Sequence, residues 1–287
     1  MLHHLRLAFV GSGQMAEAMI KGLLDRGMVA PNGVCASGPR QERADYLRTR
    51  FGIGATTSNR EAVYNADVVV LGVKPQMLPH VEPELRGLVR PDALVLSIIA
   101  GARLRSIAAG LGHSALVRAM PNTPARIGEG ITVWTATPQV SLDQREQAQA
   151  ILAALGEELY VEDESYLDMA TALSGTGPAY IFLVMEALID AGVHMGFSRH
   201  VAERLVLQTM RGSVDFARQS GKHPAELRNQ VTSPGGTSAE ALYQLEKGGL
   251  RTVLSRAVYA AYQKSKYLGD LSEQRSQQNG HNGQETE

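Results

Sequence analysis

A single cysteine, Cys35, excludes a disulfide within the chain and makes a reducing compartment, the cytoplasm, the expected setting. Aromatic residues are only 5%, so the core must be built from Leu, Val, Ile, Ala and Met. Neither sign of charge is in excess: Lys and Arg number 28 against 29 Asp and Glu, a net charge of −1. That balance argues against a nucleic-acid binder and against a polybasic membrane patch. No uninterrupted apolar run reaches the roughly 18 residues of a spanning helix, so no membrane segment is expected. Met1–Val10 reads as a strand entering a Gly-rich turn, not as a signal peptide. The histidines are scattered without ligand spacing, and no metal site is expected.

What is present is 44% hydrophobic residues in 287, enough for one large or two ordinary domains. Leu5–Val10 and Val34–Ser37 are strand-like, and Asp67–Val73 and Ala93–Ile99 are continuous apolar runs of the kind covered on both faces in a parallel sheet. Ala115–Met120 follows as a fifth strand. Helical spacing occupies Ala16–Leu24, Arg40–Phe51 and Pro79–Leu88. This alternation predicts a Rossmann-like, doubly wound α/β sheet, completed by Ile131–Thr135, a helix near Ser141–Leu155 and Glu157–Val161. The boundary falls at residue 163. Residues 164–269 read as an all-helical domain, with helices starting at Pro178, Arg199 (capped by Ser198), Ala239 and Leu250. The stretch Tyr180–Ala191 is apolar nearly all round, so it must be buried in the chain or against a partner. Residues 270–287 are polar and read as a disordered tail.

Gly11-Ser12-Gly13-Gln14-Met15-Ala16 has the dinucleotide-binding form, placed between a strand and a helix. Gly11 permits the turn, Gly13 lets a pyrophosphate approach the backbone, and the helix N-terminus offers N–H groups to it. No acid lies between Asp25 and Glu42 to receive a ribose 2′-hydroxyl. Ser37 and Arg40 stand there instead, which favours NADPH, with NADH weaker. Cys35 reads as a core strand residue.

Ligands bind beyond the carboxyl ends of parallel strands. The residues collected there are Gly11–Gly13, Ser37, Val73-Lys74-Pro75, Ala100 and Met120-Pro121-Asn122. Pro75 forces Lys74 to be extended, turning its carbonyl or side chain to the groove. The cofactor set is completed by Gln14, Met15 and Asn59.

Four blocks, Val73–Gln76, Arg118–Pro124, Leu173–Tyr180 and Val231–Ser238, resemble the signatures of the pyrroline-5-carboxylate reductases, in that family's order, within a resemblance spanning residues 5–268. The resemblance implies NADPH-dependent reduction of a cyclic imino acid to proline. It also implies a helical domain that dimerises, alone or in a ring of dimers. The substrate site carries over to Ser233, Gly235, Gly236, Thr237 and Ser238, with Thr176, and the resemblance places that turn on the partner subunit. Ser238 stands where the family usually has Thr and keeps the hydroxyl that meets the ring nitrogen. Thr176 stands where many members have Ser.

Two other readings remain open from the residues. One is a hydroxyacid-type dehydrogenase, although no lysine sits mid-helix at the domain junction. The other is a non-catalytic nucleotide-sensing protein that keeps the fold.

Overall fold

A computed structural model describes residues 2–282; residues 283–287, the end of the expected tail, lie outside the described residues. Eight strands, β1 (Leu7–Val10), β2 (Val34–Ser37), β3 (Gly54–Thr56), β4 (Val68–Leu71), β5 (Leu94–Ser97), β6 (Leu116–Met120), β7 (Gly130–Ala136) and β8 (Gly156–Tyr160), form one sheet in the order 3-2-1-4-5-6-7-8. All pairs are parallel except β6 with β7. The order reverses between β1 and β4, which is where such sheets open a ligand crevice.

Helices α1 (Gln14–Asp25), α2 (Gln41–Phe51), α3 (Asn59–Val63), α4 (Leu78–Leu85), α5 (Leu104–Leu111) and α6 (Leu142–Ala153) cover the sheet. One buried layer packs α1, α2 and α6 on the sheet through Met19, Ile20, Leu23, Leu47 and Ile151. The other packs α3, α4 and α5 through Val63, Val81, Leu85 and Ile107. Both faces are therefore covered, and β1, β4 and β5 are buried at every position.

The second half holds α7 (Tyr166–Ala170), a π-helical turn (Thr171–Gly175), α8 (Gly177–His194), α9 (Arg199–Ser220), α10 (Pro224–Gln230), α11 (Thr237–Lys247) and α12 (Leu250–Asn282). The Ser198 hydroxyl accepts the Val201 N–H at the start of α9, as a serine cap does.

By contact the described residues fall into two compact units. The first takes in the described residues 2–176 and 261–282, and the second 177–260. Within the first unit, Arg118 in β6 pairs with Glu164 (2.8 Å) and Asp168 (3.3 Å), and the Ser265 hydroxyl donates to Asp168 (2.9 Å). α12 continues to Asn282, into the segment expected to be a tail. Arg103 pairs with Asp270 (2.7 Å) and Glu273 (3.2 Å), giving that segment the tertiary partners its composition does not advertise.

In the second unit α8 packs on α9, where Gly192 sits so close that a Cβ would lie 2.9 Å from Ala202 Cβ. Its apolar side chains nevertheless face outward: Phe182 is 57% and Leu183 66% exposed. The continuous helix Tyr166–His194 is also long and apolar enough by composition to cross a membrane, contrary to the expectation of no such segment. Its large aliphatic side chains, Ile181, Leu183, Val184, Leu188 and Ile189 among them, raise its mean hydropathy although Glu186 and Asp190 interrupt any uniform run.

Candidate active site

The glycine loop follows β1 at the centre of the sheet. Gly11 has φ +101°, and a Cβ there would lie 2.7 Å from the backbone of Gly72 and Val73. Only glycine fits, because the loop crosses directly over the end of β4. Gly13 caps α1 with no side-chain hydrogen bond, and a Cβ on it would meet nothing nearer than Gly72 O at 4.0 Å. An open approach and free helical N–H groups are what a pyrophosphate requires. Gln14 is exposed, and Met15 and Ser12 are half-buried beside it.

Arg43, which sequence reasoning passed over, holds this loop from α2. Its Nε donates to the Ser12 carbonyl at 2.8 Å, and its guanidinium pairs with Glu17 on α1. The signal was its place one turn after Arg40, on the helix that begins beyond the loop. Arg48 is likewise held, by Asp45 and the Ala55 carbonyl. Arg40 is exposed at the N-cap of α2 and makes none of these bonds, which leaves it available to a phosphate.

Ser37 is placed differently from the expectation of a phosphate donor. It is fully buried, and its hydroxyl donates to Asn59 Oδ1 at 2.7 Å, with the Phe9 carbonyl at 3.4 Å. Asn59 in turn donates through Nδ2 to Glu84 at 2.9 Å. Ser37 therefore fixes Asn59 at the end of β2.

Lys74 is extended (φ −63°, ψ 145°) before Pro75. Its carbonyl accepts the Met77 N–H at 2.8 Å, so its exposed side chain is what remains for a ligand. Val73 and Ala100 are half-buried on the same edge. Pro121 is buried, and Asn122 Oδ1 accepts the Ile131 N–H at 3.0 Å, tying the turn after β6 to β7. Met120 reaches Gly175 in the π-helical turn, where a Cβ would lie 2.7 Å from its Cε.

Thr176 closes that turn: its N–H and its hydroxyl both donate to the Thr171 carbonyl at 2.8 Å. The hydroxyl proposed for substrate contact is engaged with the backbone in this structure.

In the second unit, Gly235 has φ +70° and Gly236 is the N-cap of α11. The Gly236 N–H donates to the Ser233 carbonyl at 3.0 Å, and no side chain caps the helix. The Thr237 and Ser238 N–H groups have no carbonyl partner in the turn. Ser233, Gly235 and Thr237 are exposed, and Ser238 is half-buried. An uncapped helix start with two free N–H groups and a hydroxyl suits a small carboxylate.

The Cys35 thiol is half-buried, and burial pushes it above its ordinary pKa, against a role as nucleophile.

A dinucleotide loop at the switch point, a β2 end without an acid and a helical second unit together define a nicotinamide-dependent oxidoreductase. Comparison with known proteins narrows the class. Residues 164–268 match the family model for pyrroline-5-carboxylate reductase dimerisation, and residues 6–101 match that for NADP oxidoreductase, coenzyme F420-dependent. The chain is 43% identical over 266 residues to the pyrroline-5-carboxylate reductase of Pseudomonas aeruginosa, covering 92% of this chain and 97% of that protein. It is 36% identical to the Arabidopsis thaliana enzyme, covering 92% and 95%. Among solved structures, a pyrroline-5-carboxylate reductase from Coxiella burnetii aligns with a TM-score of 0.84 at 38% identity, covering 92% of this chain and 98% of that one. The Plasmodium falciparum pyrroline carboxylate reductase with NADP bound aligns at 0.83 and 32% identity, covering 93% and 99%. The chain belongs to the pyrroline-5-carboxylate reductase family.

Proposed function

We propose that this protein reduces 1-pyrroline-5-carboxylate to L-proline with NADPH. The observation that carries the reading is the pairing, in one chain of this family, of an open dinucleotide loop at Gly11–Gly13 with an uncapped, glycine-started helix at Gly235–Ser238.

When bound, the cofactor supplies the hydride. Gly13 and the α1 N-terminus take its pyrophosphate, and Arg40 takes the 2′-phosphate; NADH, lacking that phosphate, binds more weakly. Asn59, Val73, Lys74, Ala100, Met120 and Asn122 line the remainder of that edge. The Thr237 and Ser238 N–H groups hold the substrate carboxylate, and Ser238 Oγ hydrogen-bonds the ring nitrogen as an iminium becomes an amine. No residue need abstract a proton to make the ring carbon electrophilic, so alignment is the chain's main contribution, worth up to roughly 7–11 kcal/mol.

The outward apolar face of α8 supports a homodimer through the helical region: a lone chain would expose Phe182 and Leu183. The same cover accounts for the apolar helix Tyr166–His194 without a membrane. A single half-buried thiol and this soluble chemistry support a cytoplasmic setting.

The test is loss of reduced-cofactor absorbance on mixing the protein with NADPH and racemic pyrroline-5-carboxylate, with proline identified as product. Oxidation without proline, or none at all, would overturn the reading.

A further inference from the structure

Beside the cofactor edge lies a buried ionic node that no step above uses. Arg118 stands in β6 two residues before Met120, so both side chains leave the same face of the strand. The Arg118 side chain is 3% exposed and forks between Glu164 and Asp168. Asp168 Oδ1 also accepts from Ser265 of α12 at 2.9 Å, and Glu164 Oε1 accepts the Leu104 N–H at 2.8 Å. Met120 itself packs where Gly175 leaves room. The segment from Glu164 to Gly175 is thus pinned to β6 at both ends. The loop after β5 joins the same assembly, for a Cβ on Gly101 would lie 3.1 Å from the Leu268 Cβ.

Such a node is a poor way to gain stability. Taking a guanidinium and carboxylates out of water costs several kcal/mol per ion, and packed apolar groups of equal volume often do as well or better. A planar fork, however, fixes both distance and angle. What it fixes here is the strand end that carries Met120-Pro121-Asn122, together with the loop at Ala100–Ala102.

We infer that Asp168 and Ser265 are positioning residues: through Arg118 they set the turn after β6 at the geometry hydride transfer requires. The inference rests on the reduction proposed above. A displacement of about 1 Å can lower a rate about 100-fold where alignment is the main source of catalysis. Losing one of several restraints should do less, roughly tenfold.

The test uses the full-length protein carrying Ser265→Ala, Ser265→Thr or Asp168→Asn. Three quantities are measured in each: NADPH Kd by cofactor fluorescence, steady-state kcat and KM, and the primary isotope effect on kcat with NADPH deuterated at the transferred position. In Ser265→Ala and Asp168→Asn, kcat should fall roughly five- to twentyfold, NADPH Kd should stay within about twofold, and the isotope effect should rise as hydride transfer becomes slower than the other steps. Ser265→Thr, which keeps the hydroxyl, should recover most of kcat. An unchanged kcat, or a loss of kcat with an unchanged isotope effect that follows the folded fraction, would overturn the inference. If the parent protein binds NADPH but reduces no pyrroline-5-carboxylate, the functional reading itself fails, and that outcome is distinguished before any variant is made.

Discussion

A Cβ on Gly38 would fall 2.3 Å from the Ser12 Oγ, so the turn after β2 and the glycine loop after β1 share a single small space. Gly38→Ala must therefore turn the Ser12 hydroxyl out of that space, toward the side of the loop that faces the pyrophosphate. NADPH Kd should rise about tenfold, which is about 1.4 kcal/mol. Adding Ser12→Ala should restore most of the affinity, because the obstructing atom is gone. A Gly38→Ala protein with normal affinity would show that the loop adjusts freely.

Arg40 is separable from its neighbours because Arg43 and Arg48 are already bonded. Arg40→Ala should weaken NADPH by about tenfold, as loss of a charge-assisted contact does, and leave NADH nearly unchanged. Separate titrations of the two cofactors measure this. Equal effects on both would remove Arg40 from recognition of the 2′-phosphate.

Ser238 is expected to act on the substrate alone. Ser238→Ala should lower turnover by about 10- to 100-fold, in the range for one hydrogen bond that strengthens in the transition state, with NADPH affinity intact. Ser238→Thr should retain activity. Normal turnover in the alanine variant would exclude the hydroxyl from the mechanism.

Glu82 on α4 gives a pH signature. Burial pushes its carboxyl up to about 7, with Arg86 opposing, and Oε1 has no hydrogen-bond partner. A raised acid pKa means that the folded state keeps its proton while the unfolded state loses it, so stability falls as pH rises from about 4.5 through 7. Glu82→Gln should be more stable than the parent at pH 8, by roughly 1–3 kcal/mol, with the difference vanishing near pH 4. Denaturant melts at both pH values test it. A pH-independent difference would contradict the assignment.

The face of α8 makes a test of assembly. Leu183→Glu places a charge on a side chain that is 66% exposed in the single chain. If partner helices cover that face, the variant should sediment as a monomer or precipitate, since burying an unpaired carboxylate costs several kcal/mol. A dimer of unchanged strength would move the interface elsewhere.

Several elements were readable because their causes are local. Val34–Ser37 was read with the observed bounds, and the helix expected at Arg40 begins one residue later, with Arg40 as its cap. The short β3 and α3 were not foreseen, because three or five residues carry too little periodicity to announce themselves. Asn59 was assigned to the cofactor edge, yet its bond to Ser37 joins residues 22 apart and no spacing rule reaches it.

The chain's order of apolar runs, glycines and prolines determined the doubly wound sheet, its ligand edge and the uncapped turn at Gly235–Gly236, since backbone freedom and side-chain period act between near neighbours. Only the folded molecule decided that Ser37 points inward, that Thr176 is spent on Thr171, that Arg43 is engaged while Arg40 is not, and that α12 runs on past Asp270. Those outcomes depend on which polar groups meet after distant segments pack. A hydrogen bond or ion pair is set by a few ångströms of tertiary geometry that no local pattern contains.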